Sequence, residues 1–552
     1  MKKLITLFTI MTLCSIIGFS QTHISGSISS NSIWNISGSP YIIDGNTLIQ
    51  AGVKVTIDPG VVVNFTYNTT LLIDGELEAT GDSLNHIVIT SNSNNPYAGE
   101  WNNIHFTSSS VPASYDTSGA FISGSIMKYC DVSYGGRLNY GILEIDNAAP
   151  YISHCSIKFS SSDGIYLLKG YSEIENCMIS NNEKSGVYSS RHGLTHNIHL
   201  NSNNINNNGK SGIYVDDMWQ YAIFIRKNTI SDNLNKGIYI NSNGGSGSGE
   251  ITISENSISR NVADTGAAIF IEGGFDIDIS CNLIQQNSAD GEGSAMYIIC
   301  GSNPYVITIN GNSIINNTSI SGDILHLYFG TSYSTSVELN DNQIKDNSTS
   351  SSNTILYLKG GITIDLFHIH NNSIIGNTGY ITCELLTFNG GINQNNIFNN
   401  TIYEIYNTNL AGTMNINATN NYWFGISNID TKIYDFFEDG SLSVVYYNPI
   451  LNDSAIVNDC SSGVITNAEG RIYQPMDVTI YPNPVKDVFM IETSLKTKEI
   501  TLTIYDLHGQ EIMQKQIRDF KTPIDISSLT RGLYFLKLVN ATFVETKKII
   551  KE

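Results

Sequence analysis

Short runs of alternating apolar and polar residues fill most of the chain, and they return at a near-constant interval. The pattern Asn-x-Ile-x-x-Asn recurs at Asn203-Ile205-Asn208, Asn228-Ile230-Asn233, Asn256-Ile258-Asn261 and Asn282-Ile284-Asn287. It continues at Asn312-Ile314-Asn317, Asn342-Ile344-Asn347, Asn372-Ile374-Asn377 and Asn395-Ile397-Asn400, with Asn176-Met178-Asn181 as an earlier variant. Successive first Asn positions lie 23–30 residues apart. Each unit has one alternating run before its Asn, such as Ile251-Thr252-Ile253, and one after, such as Gly212-Ile213-Tyr214-Val215. Period-two alternation predicts half-buried strands separated by polar turns. One coil cannot bury its Ile face alone, so the repeat predicts a solenoid whose coils pair as parallel strands about 4.8 Å apart. Leucine-rich repeats have a similar length, but the Leu ladder and helical spacing are missing.

Ile258, Ile284, Ile314 and Ile344 are expected to stack inward in one row. A recurring turn Asn is expected to form a structural ladder, bonding to the amide or backbone of the next coil. Asn also tolerates the left-handed backbone that such turns require. Cys130, Cys155 and Cys177 fall at comparable places 25 and 22 residues apart and should form an inward stack. Upstream, residues 41–92 alternate in the same way, with turns at Pro59-Gly60 and Asp74-Gly75.

Composition sharpens this picture. Charged residues make up only 14% of the chain, and the formal net charge is −21. Residues 1–20 carry +2 and 476–552 carry +1, which leaves −24 on 21–475. So acidic a body disfavours nucleic acid and polyanionic glycans. Lys2 and Lys3, the apolar run Leu4 to Gly18 and the small residues Gly18 and Ser20 read as a secretory signal peptide over 1–20. Seven cysteines follow it, an odd number without C-x-x-C spacing, and they read as small core residues rather than a disulfide framework.

The opening run Gly45 to Ser91, with Ile57-Asp58-Pro59-Gly60-Val61 and Asp74-Gly75-Glu76-Leu77, resembles the first coils of right-handed parallel β-helix repeat proteins of the Bacteroidetes type. Glu100-Trp101-Asn102-Asn103-Ile104 and the closing Asn420-Asn421-Tyr422-Trp423-Phe424-Gly425 fit the same pattern. This fold hosts lyases, hydrolases and inert surface proteins, so the resemblance implies a fold more than an activity. After Cys460 the repeats stop. Tyr481-Pro482-Asn483-Pro484, Ile504-Tyr505-Asp506-Leu507-His508-Gly509, Gly532-Leu533-Tyr534 and the basic tail Lys547-Lys548-Ile549-Ile550-Lys551 closely resemble the type A sorting domain of type IX secretion cargo. The resulting division is a signal peptide at 1–20, a β-helix with cap coils at 21–460, a linker at 461–475 and a small antiparallel β-sandwich sorting domain at 476–552. The resemblance implies that the type IX secretion machinery is a partner and that the product reaches the outer-membrane surface or the medium.

Strong catalytic motifs are missing: there is no Gly-x-Ser-x-Gly, His-Glu-x-x-His or phosphate loop. Arg191-His192-Gly193, Asp216-Asp217 and Arg226-Lys227 loosely resemble the pieces used by pectin-type hydrolases, in the reverse order. Arg191, His192, Asp216 and Asp217 are therefore weak catalytic candidates, to be set against solvated turns. The more regular feature is a stripe of Tyr166, Tyr188, Tyr214, Tyr239, Phe270, Tyr297, Tyr328 and Tyr357. Tyr188, Tyr214, Tyr239, Phe270 and Tyr297, together with Trp219, are candidates for glycan binding; cross-strand stabilisation is the alternative. No cofactor or metal site is expected, although Asp276 and Asp278 share an outward face that suits Ca²⁺. The expected function is an exported, non-catalytic glycan-binding or adhesive module. A polysaccharide hydrolase or lyase and a structural surface fibre are the alternatives. Deleting residues 476–552 should leave the protein in the periplasm, and unchanged surface display of the truncated chain would contradict the sorting assignment.

Overall fold

The structure, a computed structural model, describes residues 21–117, 119–137, 140–190, 197–216, 222–242, 249–300, 305–329, 336–350, 352–360, 366–458, 460, 478–493, 500–505, 511–517, 521–527, 529–539 and 544–552. The segments expected to be a signal peptide, 1–20, and a linker, 461–475, and the candidates Arg191, His192, Asp217 and Trp219 lie outside them. The chain divides into two compact units, Met1–Cys460 and Ser461–Glu552. Among the described residues there are strands and two short 3-10 turns but no α-helix.

The first unit is a parallel β-solenoid with three strand faces per coil. A broad face stacks 16 strands, from Ser32–Trp34 to Val445–Tyr446. A narrow face is built from three-residue strands such as Ser257–Ser259 and Ser313–Ile315, and an aromatic face from strands such as Ile213–Asp216 and Ile238–Asn241. Register is one-to-one along the narrow face: Ile230, Ile258, Ile284, Ile314, Ile344 and Ile374 pair in sequence and are all fully buried. The inward isoleucine row expected from the alternation is therefore present.

Two ladders of buried asparagines mark the turns on either side of that narrow strand. In the first, Asn228 Oδ1 accepts the Asn203 backbone N–H at 2.8 Å and the Asn203 carboxamide at 3.0 Å. Asn228 Nδ2 in turn donates back to Leu200 O at 2.8 Å and forward to Asn256 Oδ1 at 3.0 Å. The pattern repeats through Asn282, Asn312, Asn342, Asn372 and Asn395 to Asn421. The second ladder runs from Asn182 through Asn208 and Asn233 to Asn400. The left-handed residue is not the ladder Asn but the one before it. Ser202, Lys227, Glu255 and Asp341 hold φ of 55–57°. A left-handed non-glycine residue costs about 1–2 kcal/mol, and the ladder bonds offset it coil by coil. Gly212 is required by the same crowding: a Cβ there would lie 2.8 Å from Gly237 O and 3.0 Å from Asn233 Nδ2.

The early variant is displaced by one residue from the sequence reading. Met178 pairs with Asn204 and Ile179 with Ile205, so Cys177 and Asn182, not Asn176 and Asn181, occupy the ladder rows. Asn176 and Asn181 are the left-handed residues, at φ 53° and 56°. A one-residue slip exchanges the two faces of a strand, and Met178 is accordingly 44% exposed. Cys130, Cys155 and Cys177 are buried and stacked, and the Cys177 N–H donates to Asn203 Oδ1 at 3.0 Å, so they extend the first ladder upstream.

Cys281 departs from the expectation of core cysteines: it forms a disulfide with Cys460, 179 residues away. Sequence spacing could not pair them, because only the way the chain folds back brings them together. After the last broad-face strand the chain runs back along the first turn row. The Leu451 N–H donates to Asn421 O, the Ala455 N–H to Asn396 Oδ1 and the Asn458 N–H to Asp341 Oδ1 before the disulfide is reached. Closing so long a loop removes entropy from the unfolded chain.

The second unit, taken by itself, consists of two antiparallel sheets. One is built from Val478–Tyr481, Val488–Thr493 and Lys521–Asp525. The other is built from Glu511–Ile517, Ile500–Tyr505, Gly532–Val539 and Val544–Lys551. They share a core that includes Val485, Phe489, Ile504, Leu536 and Ile549.

Two substitutions test this packing. Asn312→Ala strands the Asn282 N–H and the Ile279 carbonyl and should destabilise the body by about 3 kcal/mol in urea unfolding, whereas Asn204→Ala, on the surface, should change it by under ~0.5 kcal/mol. Ile314→Asp should lower stability by several kcal/mol, because it buries an unpaired charge.

Candidate functional site

The aromatic face carries one outward residue per coil in a single line. Tyr166, Tyr188, Tyr214, Tyr239, Phe270, Tyr297, His326 and Tyr357 pair in register on adjacent strands. Tyr188, Tyr214, Tyr239, Phe270 and Tyr297 thus take adjoining places. Tyr328, expected in the stripe, does not: it pairs with Ile299, two residues along the strand, and His326 stands in its place. Both residues share the outward face of one strand, so alternation could not choose between them.

The rings do not form a flat platform. Consecutive centroids are 4.3–5.2 Å apart with planes tilted by 9–17°, so each ring lies against the next face to face. The strand spacing of about 4.8 Å sets this distance. Phe270 is only 9% exposed and the other rings are half-buried. Ring edges and phenol hydroxyls, rather than ring faces, are therefore presented to solvent. Burial pushes the Tyr188 and Tyr357 phenols up to about 12 and raises Tyr214 as well. They remain neutral hydrogen-bonding groups across the physiological range. At the side of the column, Asn241 Nδ2 donates to Tyr239 Oη at 3.1 Å.

A carboxylic acid closes each end of the column. Glu384 pairs in register with Tyr357 and accepts from Thr354 Oγ1 at 2.7 Å. Glu144 pairs with Tyr166 on one side and His105 on the other. Its side chain is 7% exposed, accepts from Asn103 Nδ2 at 2.5 Å and lies 3.5 Å from His105 Nδ1. Burial first, and the Asp146 charge second, raise the Glu144 carboxyl to about 7. Burial also lowers His105, against the opposing charges of Asp146 and Asp74. Sequence motifs do not reveal this cluster, because His105 and Glu144 lie 39 residues apart and meet only through coil register.

Among the sequence candidates for acid–base chemistry, Asp216 ends the Tyr214 strand in register with Ser190. Its proposed companions lie outside the described residues. Asp276 and Asp278 do share the outward side of the broad face, but Asp276 Oδ1 accepts the Val306 N–H at 2.8 Å. No group of three metal-binding side chains occurs among the described residues.

Residues 85–246 and 140–314 match the family described as a right handed beta helix region, and residues 479–552 match a secretion system C-terminal sorting domain. Comparison with curated proteins and with solved structures yields no match.

The Glu144 environment predicts a pH dependence. Between the ordinary value of 4.5 and about 7, the folded state keeps a proton that the unfolded state has released. Stability should therefore fall as pH rises through that window, by up to about 3 kcal/mol from this group. Glu144→Gln should flatten the pH 4.5–7 slope in denaturant titrations by that amount; an unchanged slope would show that the carboxyl is not held protonated.

Proposed function

From a right-handed parallel β-helix that carries a type IX secretion sorting domain, we propose an exported, non-catalytic module that holds a neutral glycan along its aromatic face. The sorting domain implies handling by the type IX secretion machinery and delivery to the cell surface or beyond it. The observation that carries the glycan reading is the register of four successive phenol edges, from Tyr166 through Tyr188 and Tyr214 to Tyr239. Each Tyr coil adds one neutral hydroxyl donor and acceptor at a step of about 4.8 Å. The stacked rings supply rigidity, and the hydroxyl edges supply contacts for sugar hydroxyls. The acidic body turns away polyanions, which leaves neutral polysaccharides as the matching class.

Phe270 shows that a ring without a hydroxyl fits the stack, and this allows binding to be separated from folding. The triple variant Tyr188→Phe, Tyr214→Phe, Tyr239→Phe should melt as the native protein does, yet lose at least tenfold in affinity for neutral glycans identified on an array. Native binding should survive high salt, since neutral contacts are little screened. If the triple variant binds as native protein does, the column is purely structural.

A second reading is carried by Glu144 and Asp146, two carboxyl groups on one outward strand face, one of them raised by burial. Such a pair can serve as general acid and general base for glycoside hydrolysis. Release of reducing ends from a bound glycan, abolished by Glu144→Gln, would favour it over simple binding.

A further inference from the structure

The C-terminal end of the β-helix is closed by a 3-10 turn at Asp430–Lys432, a strand at Ile433–Tyr434, a loop and a strand at Val445–Tyr446. These segments enclose a cavity of about 300 Å³. Its floor is apolar, made by the buried Ile433 and Val445. Asp435, 3% exposed, is committed to holding the loop: it accepts the Phe437 N–H at 3.0 Å and the Val445 N–H at 2.7 Å. Its own N–H donates to Glu438 Oε2 at 3.0 Å, and the Tyr447 hydroxyl donates to Asp430 Oδ1 at 2.6 Å. Asp430 and Glu438 are thereby fixed at the exposed rim, beside a Phe437 ring that is 78% exposed. The nearby Lys432 points its ammonium at Thr401 O and Ile402 O, and no ion pair neutralises the rim carboxylates among the described residues.

We infer that this cavity binds a protonated amino sugar, its ammonium between Asp430 and Glu438 and its C–H face against Phe437. Fixed, unneutralised carboxylates attract a cation, and an exposed ring adds the attraction of its quadrupole for an ammonium. An apolar floor with a few fixed polar groups suits one sugar ring. Unlike the stacked rings of the column, Phe437 offers a free face. The site is separate from the aromatic face and does not depend on glycan binding there.

The test is calorimetric titration of the full secreted chain at mildly acidic pH with a chitosan tetramer and with its fully N-acetylated counterpart. The free amine should bind at least tenfold tighter, and raising the salt should weaken it. Asp430→Asn with Glu438→Gln should reduce that affinity at least tenfold, while the new amides still accept from Tyr447 and from the Asp435 N–H. Phe437→Ala should weaken binding without changing the melting temperature, and the Tyr188, Tyr214, Tyr239 triple Phe variant should bind the tetramer as native protein does. Equal binding of the two tetramers, no binding of either, or full binding by the Asn/Gln variant would overturn the inference.

Discussion

A carboxamide can sit in an isoleucine core only if each of its polar atoms finds a partner. In this protein every ladder Asn meets that demand through the coils directly above and below, so a coil out of register would leave several buried amides unsatisfied at once. That requirement fixes the vertical alignment of the body. The isoleucine row and the left-handed turn rows follow from it, since each keeps a constant offset from the ladder Asn of its coil, while the column of rings, 11–15 residues beyond the first ladder Asn, is aligned by strand pairing between the same coils. Where the ladder ends, other groups take over the same duty. Cys177 donates its backbone N–H at the upstream end of the first ladder, and Glu404 accepts from the Asn400 carboxamide at 2.9 Å at the downstream end of the second.

The stacking of aromatic rings is a consequence of this alignment rather than a separate invention. Coil spacing of about 4.8 Å leaves a gap between neighbouring side chains that a planar ring fills well. The geometry that makes the column regular also hides the faces of its rings, which moves any recognition to their edges. Free aromatic faces occur instead at the irregular C-terminal cap, where the repeat has ended and Phe437 has no ring above it in register.

The repeat made the solenoid legible in the sequence, because Asn and Ile at fixed spacing leave few other ways to bury both. Rows were legible where a coil carried that spacing and uncertain where it did not. Cys177 replaces Asn in the coil just before the Asn repeat begins, and the neighbouring Asn176 imitates the repeat spacing one residue too early. Tyr328 and His326 were interchangeable by alternation, and only strand pairing separates them. The His105–Glu144 cluster, the Cys281–Cys460 bond and the cap cavity were not legible at all. Each joins residues whose proximity depends on coil lengths that vary from unit to unit, or on a chain reversal that follows no repeat.

The returning segment 451–460 changes how the β-helix would carry tension. A pull exerted from beyond residue 460 does not reach the body at its final coil. It passes through the disulfide into the turn that holds Cys281, well inside the stack. The coils between that turn and residue 446 lie outside the line of force, so peeling cannot begin at the last coil and work inward. A module tethered by its C-terminal side would thus be gripped near its middle, with its distal coils mechanically idle and free to keep their shape under drag.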